Sequence, residues 1–272
     1  MKTSRIKSII IVILALVNVF LLVLLLSRQS QQRTAYSRSV EQLSLLLSEN
    51  GISLDPVLLP QETSLPTAQP SRNADAESMF AQKLLGDAEL RDVGGGISVY
   101  QSGSSSIQFR AVGTVEGTVS VAAENPLRLC DELLGGWGYS ADTALRSTGA
   151  SVSESGSGTV RMLRKIDDRC VFNAPLLLTF EDHVLTEVAG SFLPDVSTAK
   201  QGAGIDAVTA LVRFLDYRNA NGIVCTEIVR IEAGYLLQES ASAAAKLLPV
   251  WQITTNISNY YVNYISGEIL RD

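Results

Sequence analysis

Histidine is almost missing from this chain: His183 is the one example in 272 residues. That excludes the usual histidine-rich zinc sites. It also forces any Ser-His-Asp arrangement onto one position. There is no G-x-S-x-G elbow and no H-E-x-x-H helix. Cysteine is nearly as scarce, with Cys130, Cys170 and Cys225 far apart and none in a Cys-x-x-Cys pair. An odd, dispersed set is not a disulfide framework. It reads as three buried thiols behaving as small hydrophobes, with a bridge between two of them left open. Basic charge is short as well. All 28 acidic residues follow Leu26, whereas three of the 22 basic ones precede it, so the part beyond Leu26 carries about −9. Nucleic acid, bound largely through Lys and Arg on phosphates, is excluded as a partner. So is polybasic attachment to anionic lipid.

What the sequence has in abundance is one apolar run. Residues 9–26, IIIVILALVNVFLLVLLL, contain no charge and a single polar interruption at Asn18. As a helix the run would be roughly 27 Å long, close to the hydrocarbon thickness of a bilayer. It is apolar all round, unlike a water-soluble helix with a polar face. A cleaved signal peptide is the competing reading, but the run passes from three leucines into Ser27-Arg28-Gln29 with no small-x-small site. The run is therefore expected to be an uncleaved anchor. Lys2, Arg5 and Lys7 precede it closely, which favours a cytoplasmic tail at 1–8 and an extracytoplasmic remainder.

Beyond the anchor, residues 27–59 read as a neck. Apolar positions Val40, Leu43, Leu46 and Leu47 have helical spacing, Asn50-Gly51 is a stop, and a short extended piece follows. Residues 60–73 hold three prolines and little apolar, the composition of a linker. Residues 74–85 predict an amphipathic helix, and alternation at 97–100, 107–109 and 119–121 predicts strands. Gly94-Gly95-Gly96 lacks the Lys-Ser/Thr ending and following helix of a phosphate loop, and reads as a hairpin turn. Asn125-Pro126 is a cap with proline at the first helical position. A further helix is expected over 205–217.

A helix followed by antiparallel strands thus occurs twice, over 125–194 and 204–271. In each copy the last hairpin starts at a proline, Pro175 or Pro249, and ends near a glycine, Gly190 or Gly267. This order predicts an α+β fold with two extracytoplasmic modules, each an antiparallel sheet covered by one helix, at 74–194 (with an added N-terminal helix and strands) and 195–272.

At the second copy the residues resemble a known family. Ile231-Glu232-Ala233-Gly234-Tyr235, then Leu248-Pro249-Val250-Trp251-Gln252-Ile253, then Tyr260-Tyr261-Val262-Asn263 and Gly267-Glu268-Ile269 are similar to the C-terminal end of the YycI family. That family sits within the YycH/YycI group of membrane-anchored regulators. The same stretch looks like a PepSY-type module. The basic tail, single span, helix and Gly51-Ile52 extend the likeness to the N-terminus. The resemblance implies an extracytoplasmic regulator with no catalytic activity and no cofactor. It implies contact with a sensor histidine kinase of the WalK/YycG type and with a YycH-like companion, and control of cell-wall homeostasis. It also implies structural roles for Gly234, Tyr235, Pro249, Trp251, Tyr261, Asn263 and Gly267. PepSY-like modules carry an alternative, a protease-inhibiting or substrate-holding role. An extracellular hydrolase is a distant third reading.

His183 falls between two predicted strands beside Glu181-Asp182, where a solvated turn residue is the ordinary reading and a general base the other. Asp167-Asp168 is a second acidic pair at a turn. The aromatic group Trp251, Tyr260, Tyr261 and Tyr264 is expected to be mainly core, with a ligand groove as the alternative. Asn18 falls near the bilayer centre, where an amide without water tends to face another helix, unless it is a tolerated lone polar residue. Asn18→Leu is expected to leave carbonate-resistant membrane insertion intact, because Leu is the more favourable residue there. It is expected to weaken co-purification with the kinase or the companion. Unchanged co-purification would make the span a tether only.

Overall fold

The computed structural model describes residue 18, residues 35–60, 64–110, 113–142, 152–153, 155–199, 204–239 and 245–270. The expected anchor lies outside these, except that Asn18 is helical and exposed. Among the described residues no helix is long and apolar enough to cross a membrane.

The chain is α+β, with two antiparallel sheets and four α-helices among the described residues. Helix α1 covers residues 35–49, and strand β1 is Ser53–Leu54. Strand β2, Thr67–Ser71, leads to α2, Ala74–Leu85. Four strands follow: β3, Glu89–Gly94; β4, Ile97–Ser102; β5, Ser105–Phe109; and β6, Thr114–Ala122. After α3, Pro126–Leu134, come β7, Tyr139–Ala141, β8, Gly158–Ile166, and the short β9, Arg169–Cys170. A hairpin of β10, Leu176–Glu181, and β11, Val184–Ser191, precedes β12, Asp195–Ala199. Helix α4, Ala207–Asn221, then leads into β13, Glu227–Gln238, and β14, Lys246–Thr255. The chain closes with β15, Asn259–Asn263, and β16, Ile269–Leu270.

Local chemistry explains most boundaries. Side chains of Asn73, Asn125 and Asp206 accept from the backbone N–H three residues on, at 2.9, 3.1 and 2.8 Å, and start α2, α3 and α4. Both residues of Asp167-Asp168 and of Asp182-His183 have positive φ, between 46° and 64°. Two successive left-handed residues make the tight turn that matches strand twist. Aspartate tolerates that backbone better than most side chains, so these acids serve the turns.

The nine-stranded sheet runs β3-β4-β5-β6-β11-β10-β8-β7, with β9 attached to β8. Two helices cover one face, α3 and the added N-terminal helix α2. Phe80 of α2 and Cys130 of α3 share a core with Ile107, Met162, Leu178 and Phe192. The seven-stranded sheet runs β1-β13-β14-β15-β16, with β2 against β14 and β12 against β2. It too has two helices. Leu43 and Leu47 of α1 enter the core of Leu211, Phe214, Ile231 and Trp251.

The N-terminal segments therefore do not stand apart. The expected neck, 27–59, supplies α1 and β1 to the C-terminal sheet, where β1 pairs with β13 in parallel. Inside the expected linker, 60–73, residues 67–71 form β2. Its composition looks like a loop because of Pro70 and the polar residues, yet β2 lies between β12 and β14, with Pro70 beyond the single β14 pairing at Ala68. The nine-stranded unit is thus inserted between two parts of the seven-stranded one. At the crossing, β2 and β12 pair antiparallel over five residues, from Asp195↔Ser71 to Ala199↔Thr67.

Polar contacts tie this crossing to the inserted unit. Asn73 donates to Asp195 at 2.6 Å. Arg72 grips Glu77 through two bonds of 2.7 and 2.8 Å and donates to Ser98 Oγ at 2.8 Å. Glu77 is only 2% exposed. On the return path, Tyr139 donates to the Ser191 carbonyl at 2.9 Å and accepts from Leu193 N–H at 2.7 Å. Removing one member of a buried pair strands the other. Glu77→Ala is expected to lower stability by about 3 kcal/mol, read by urea denaturation of the full chain, and Glu77→Gln by clearly less.

Candidate functional site between the two sheets

Alternation along β13, β14 and β15 sends Ile231, Trp251 and Val262 to the helix-covered core. Their neighbours Arg230, Glu232, Gln252 and Tyr261 go to the opposite face. In β8, Val160 and Met162 are core, while Arg161, Leu163 and Lys165 point away. These two outward faces meet in a groove of about 810 Å³. It is lined by Asp142, Arg161, Lys165, Cys170, Phe172, Arg230, Glu232, Gln252, Asn259 and Tyr261 among others.

Three basic side chains line it against two acidic ones, a local surplus of positive charge in a chain of formal charge −6. Arg161 sits 3.2 Å from Asp142 and donates to the Phe172 carbonyl at 3.0 Å. Arg230 lies 3.4 Å from Glu232, and Gln252 donates to the Tyr261 hydroxyl at 3.2 Å. Burial raises the Cys170 thiol above its ordinary range, against the opposing charge of Lys165. It stays protonated and unreactive near neutrality. Among the described residues no group of three or more His, Cys, Asp or Glu is placed to hold a metal ion.

Residues 170–173 run alongside β13, with Val171 bridging Tyr235 in parallel, and Cys170, Phe172 and Asn173 line the groove. Gly234 permits this approach: a Cβ there would fall 2.5 Å from the Cys170 carbonyl and from the Phe172 ring. Phe172 then packs on Tyr261, with centroids 6.0 Å apart, and both join Leu236 and Val250 in a small outer core. Phe172 N–H donates to the Tyr235 carbonyl at 2.9 Å. Asn173 imitates a neighbouring strand with its amide, donating to the Leu237 carbonyl at 2.9 Å and accepting its N–H at 2.7 Å.

The other residues singled out in the sequence hold the seven-stranded sheet together. Tyr235 is fully buried and donates to the Pro66 carbonyl at 3.0 Å, and burial pushes its phenol up to about 12. Pro249 sits where β14 exchanges one neighbour for another, β2 at Leu247 and β15 from Val250. Its missing N–H costs no ladder bond there, and its carbonyl accepts from Tyr264 N–H at 3.0 Å. Trp251 donates to the Ile205 carbonyl at 2.9 Å and so fixes the approach to α4. Asn263 accepts two turn N–H groups, at 2.8 and 3.0 Å, and Gly267 closes that turn at φ 72°. Of the four aromatics, Trp251, Tyr264 and Tyr260 belong to the helix-side core and Tyr261 to the groove.

Asn18 and His183 are not brought to the groove. His183 is exposed in its turn, where its carbonyl accepts from Ala123 at 2.7 Å and its ring packs on Gly156. The groove residues Arg161, Lys165, Arg230 and Gln252 were not singled out from the sequence. Their signal was polar residues alternating within strands that are otherwise apolar.

No family model matches the chain, and none of the curated proteins does. Among solved structures, it is similar to an uncharacterized protein from Eubacterium rectale ATCC 33656. That match has 11% identity over 77% of this chain and 86% of the other, with a TM-score of 0.49. It is also similar to the YpeB C-terminal domain of Bacillus megaterium, at 10% identity over 75% of this chain and 100% of that domain, with a TM-score of 0.36. With TM-scores below 0.5, neither match establishes a shared fold.

Gly234→Ala is expected to cost about 1–3 kcal/mol through overpacking and to lift residues 170–172 off β13. The Cys170 thiol should then react faster with an aromatic disulfide reagent. Gly136→Ala, where a Cβ would meet nothing within 4 Å, is the control.

Proposed function

We propose that this chain is a membrane-anchored extracytoplasmic regulator that acts by protein–protein contact and carries no chemistry of its own. The observation that carries the reading is the groove between the sheets. Its walls are strand faces, and its charges of both signs suit a segment of polypeptide better than a small molecule. The finer reading follows the sequence resemblance. The chain is a YycI-type protein with PepSY-like modules, and its partners are a WalK/YycG-like sensor histidine kinase and a YycH-like companion. The apolar run of residues 9–26 supports the anchor, with the described domains outside the cytoplasm. The flat strand walls also suit the alternative role, holding an extended substrate or inhibiting a protease.

Arg230 and Lys165 lie at the groove and are not part of the buried cores. Reversing both, in Lys165→Glu with Arg230→Glu, is expected to leave the melting temperature nearly unchanged, as for ordinary surface substitutions. Kinase recovered with the full-length protein from detergent-solubilised membranes should fall on the order of tenfold. Equal recovery would remove the groove from kinase contact. Relief of protease inhibition by the same pair, with kinase recovery unchanged, would favour the alternative role.

A further inference from the structure

Strand β3 ends the nine-stranded sheet, and among the described residues it pairs with β4 alone. An edge of this kind offers backbone donors and acceptors to another strand. Charges at Glu89 and Arg91 and a bulge between Asp92 and Gly94 keep unselected strands off this edge, but its residue Leu90 is apolar. Directly opposed residues share a face of the sheet, so the register Ile107↔Tyr100↔Leu90 forms one apolar row across β5, β4 and β3. Ile107 and Tyr100 are buried, at 0% and 4%, whereas Leu90 at the end of the row is 59% exposed. The row stops at the edge with nothing described beyond it.

The charges on β3 select a neighbour. The strand reads Glu89-Leu90-Arg91-Asp92. If a second copy pairs antiparallel about Leu90, Glu89 of each copy faces Arg91 of the other and the two Leu90 side chains meet. A shift centred on Arg91 places Arg91 against Arg91. A shift centred on Glu89 places Glu89 against Glu89. One register therefore satisfies both the charges and the apolar row.

We infer that two copies of this chain associate edge to edge through β3, with Leu90 on the twofold axis. The nine-stranded sheets then become one continuous sheet across the pair. This association is separate from the groove and from any contact with a kinase.

The test uses the full-length protein in its native membranes. Opposed residues in such a ladder have Cα atoms about 4.5–5.5 Å apart, within disulfide reach. Leu90→Cys should give a covalent dimer on mild oxidation, in yield on the order of tenfold above Val57→Cys, which is the more exposed of the two positions and lies outside β3. Arg91→Glu added to Leu90→Cys should abolish that excess, since four carboxylates would then face one another. Glu89→Arg with Arg91→Glu should restore it by exchanging the charges. Circular dichroism of each purified variant checks that these exposed positions leave the fold intact. A Leu90→Cys yield no higher than that of Val57→Cys would overturn the inference. So would an adduct to a different protein, or failure of the charge exchange to restore the dimer.

Discussion

Everything in this molecule depends on the ladder between β2 and β12. The chain leaves the seven-stranded sheet along one of these strands and comes back along the other. Their five residue pairs fix the two passages side by side. Without that pairing the inserted unit would hang on two separate connections, free to turn against its host. With it, the strands emerge at a single place, where Asn73, Arg72 and Glu77 join them to the start of α2. Tyr139 holds the other exit by accepting from one backbone group of the returning chain and donating to another.

The groove is a result of this constraint. Two sheets that covered each other fully would have merged their apolar faces into one core. Here each sheet spends its apolar face on its own two helices, and the outward faces are left polar where they meet. Residues 170–173 supply an apolar contact between these faces, and Ile166 and Leu193 reach the seven-stranded core as well. The 170–173 segment runs beside β13, close over Gly234, with hydrogen bonds that another strand would otherwise make. The apolar contacts are local and the remainder of the interface is open, which is why it forms a groove and not a seam.

Short-range features of this structure were legible in the sequence. Asn125-Pro126 begins a helix because a cap and a fixed φ act within four residues. The hairpin at Asp182-His183 and the alternation of β10 and β11 likewise act locally. The seven residues picked out in the second module lie at sheet and turn positions, each with its own steric or hydrogen-bonding surroundings. Pairings between distant segments were not legible. Nothing in Thr67-Ala68-Gln69-Pro70-Ser71 favours a strand until β12 lies beside it, and β1 gains its order from β13. The groove was hidden for a related reason. Arg161 and Arg230 are ordinary outward residues of their own strands, and only the tertiary arrangement sets them across from each other.

The nesting of one unit within another also sets an order of assembly. Ser53 reaches Thr226 across 173 residues of chain. During synthesis at ordinary rates, roughly ten to thirty seconds pass between the appearance of β1 and that of its partner strand. Helix α1 and strands β1 and β2 must wait through that interval with their apolar side chains, Leu43, Leu47 and Ile52, uncovered. The inserted unit suffers no such delay, because every strand it contains is made before β12 begins. It can fold first and hold the two crossing strands close together. That shortens the effective loop which β13 and β14 must close to reach the waiting N-terminal segment.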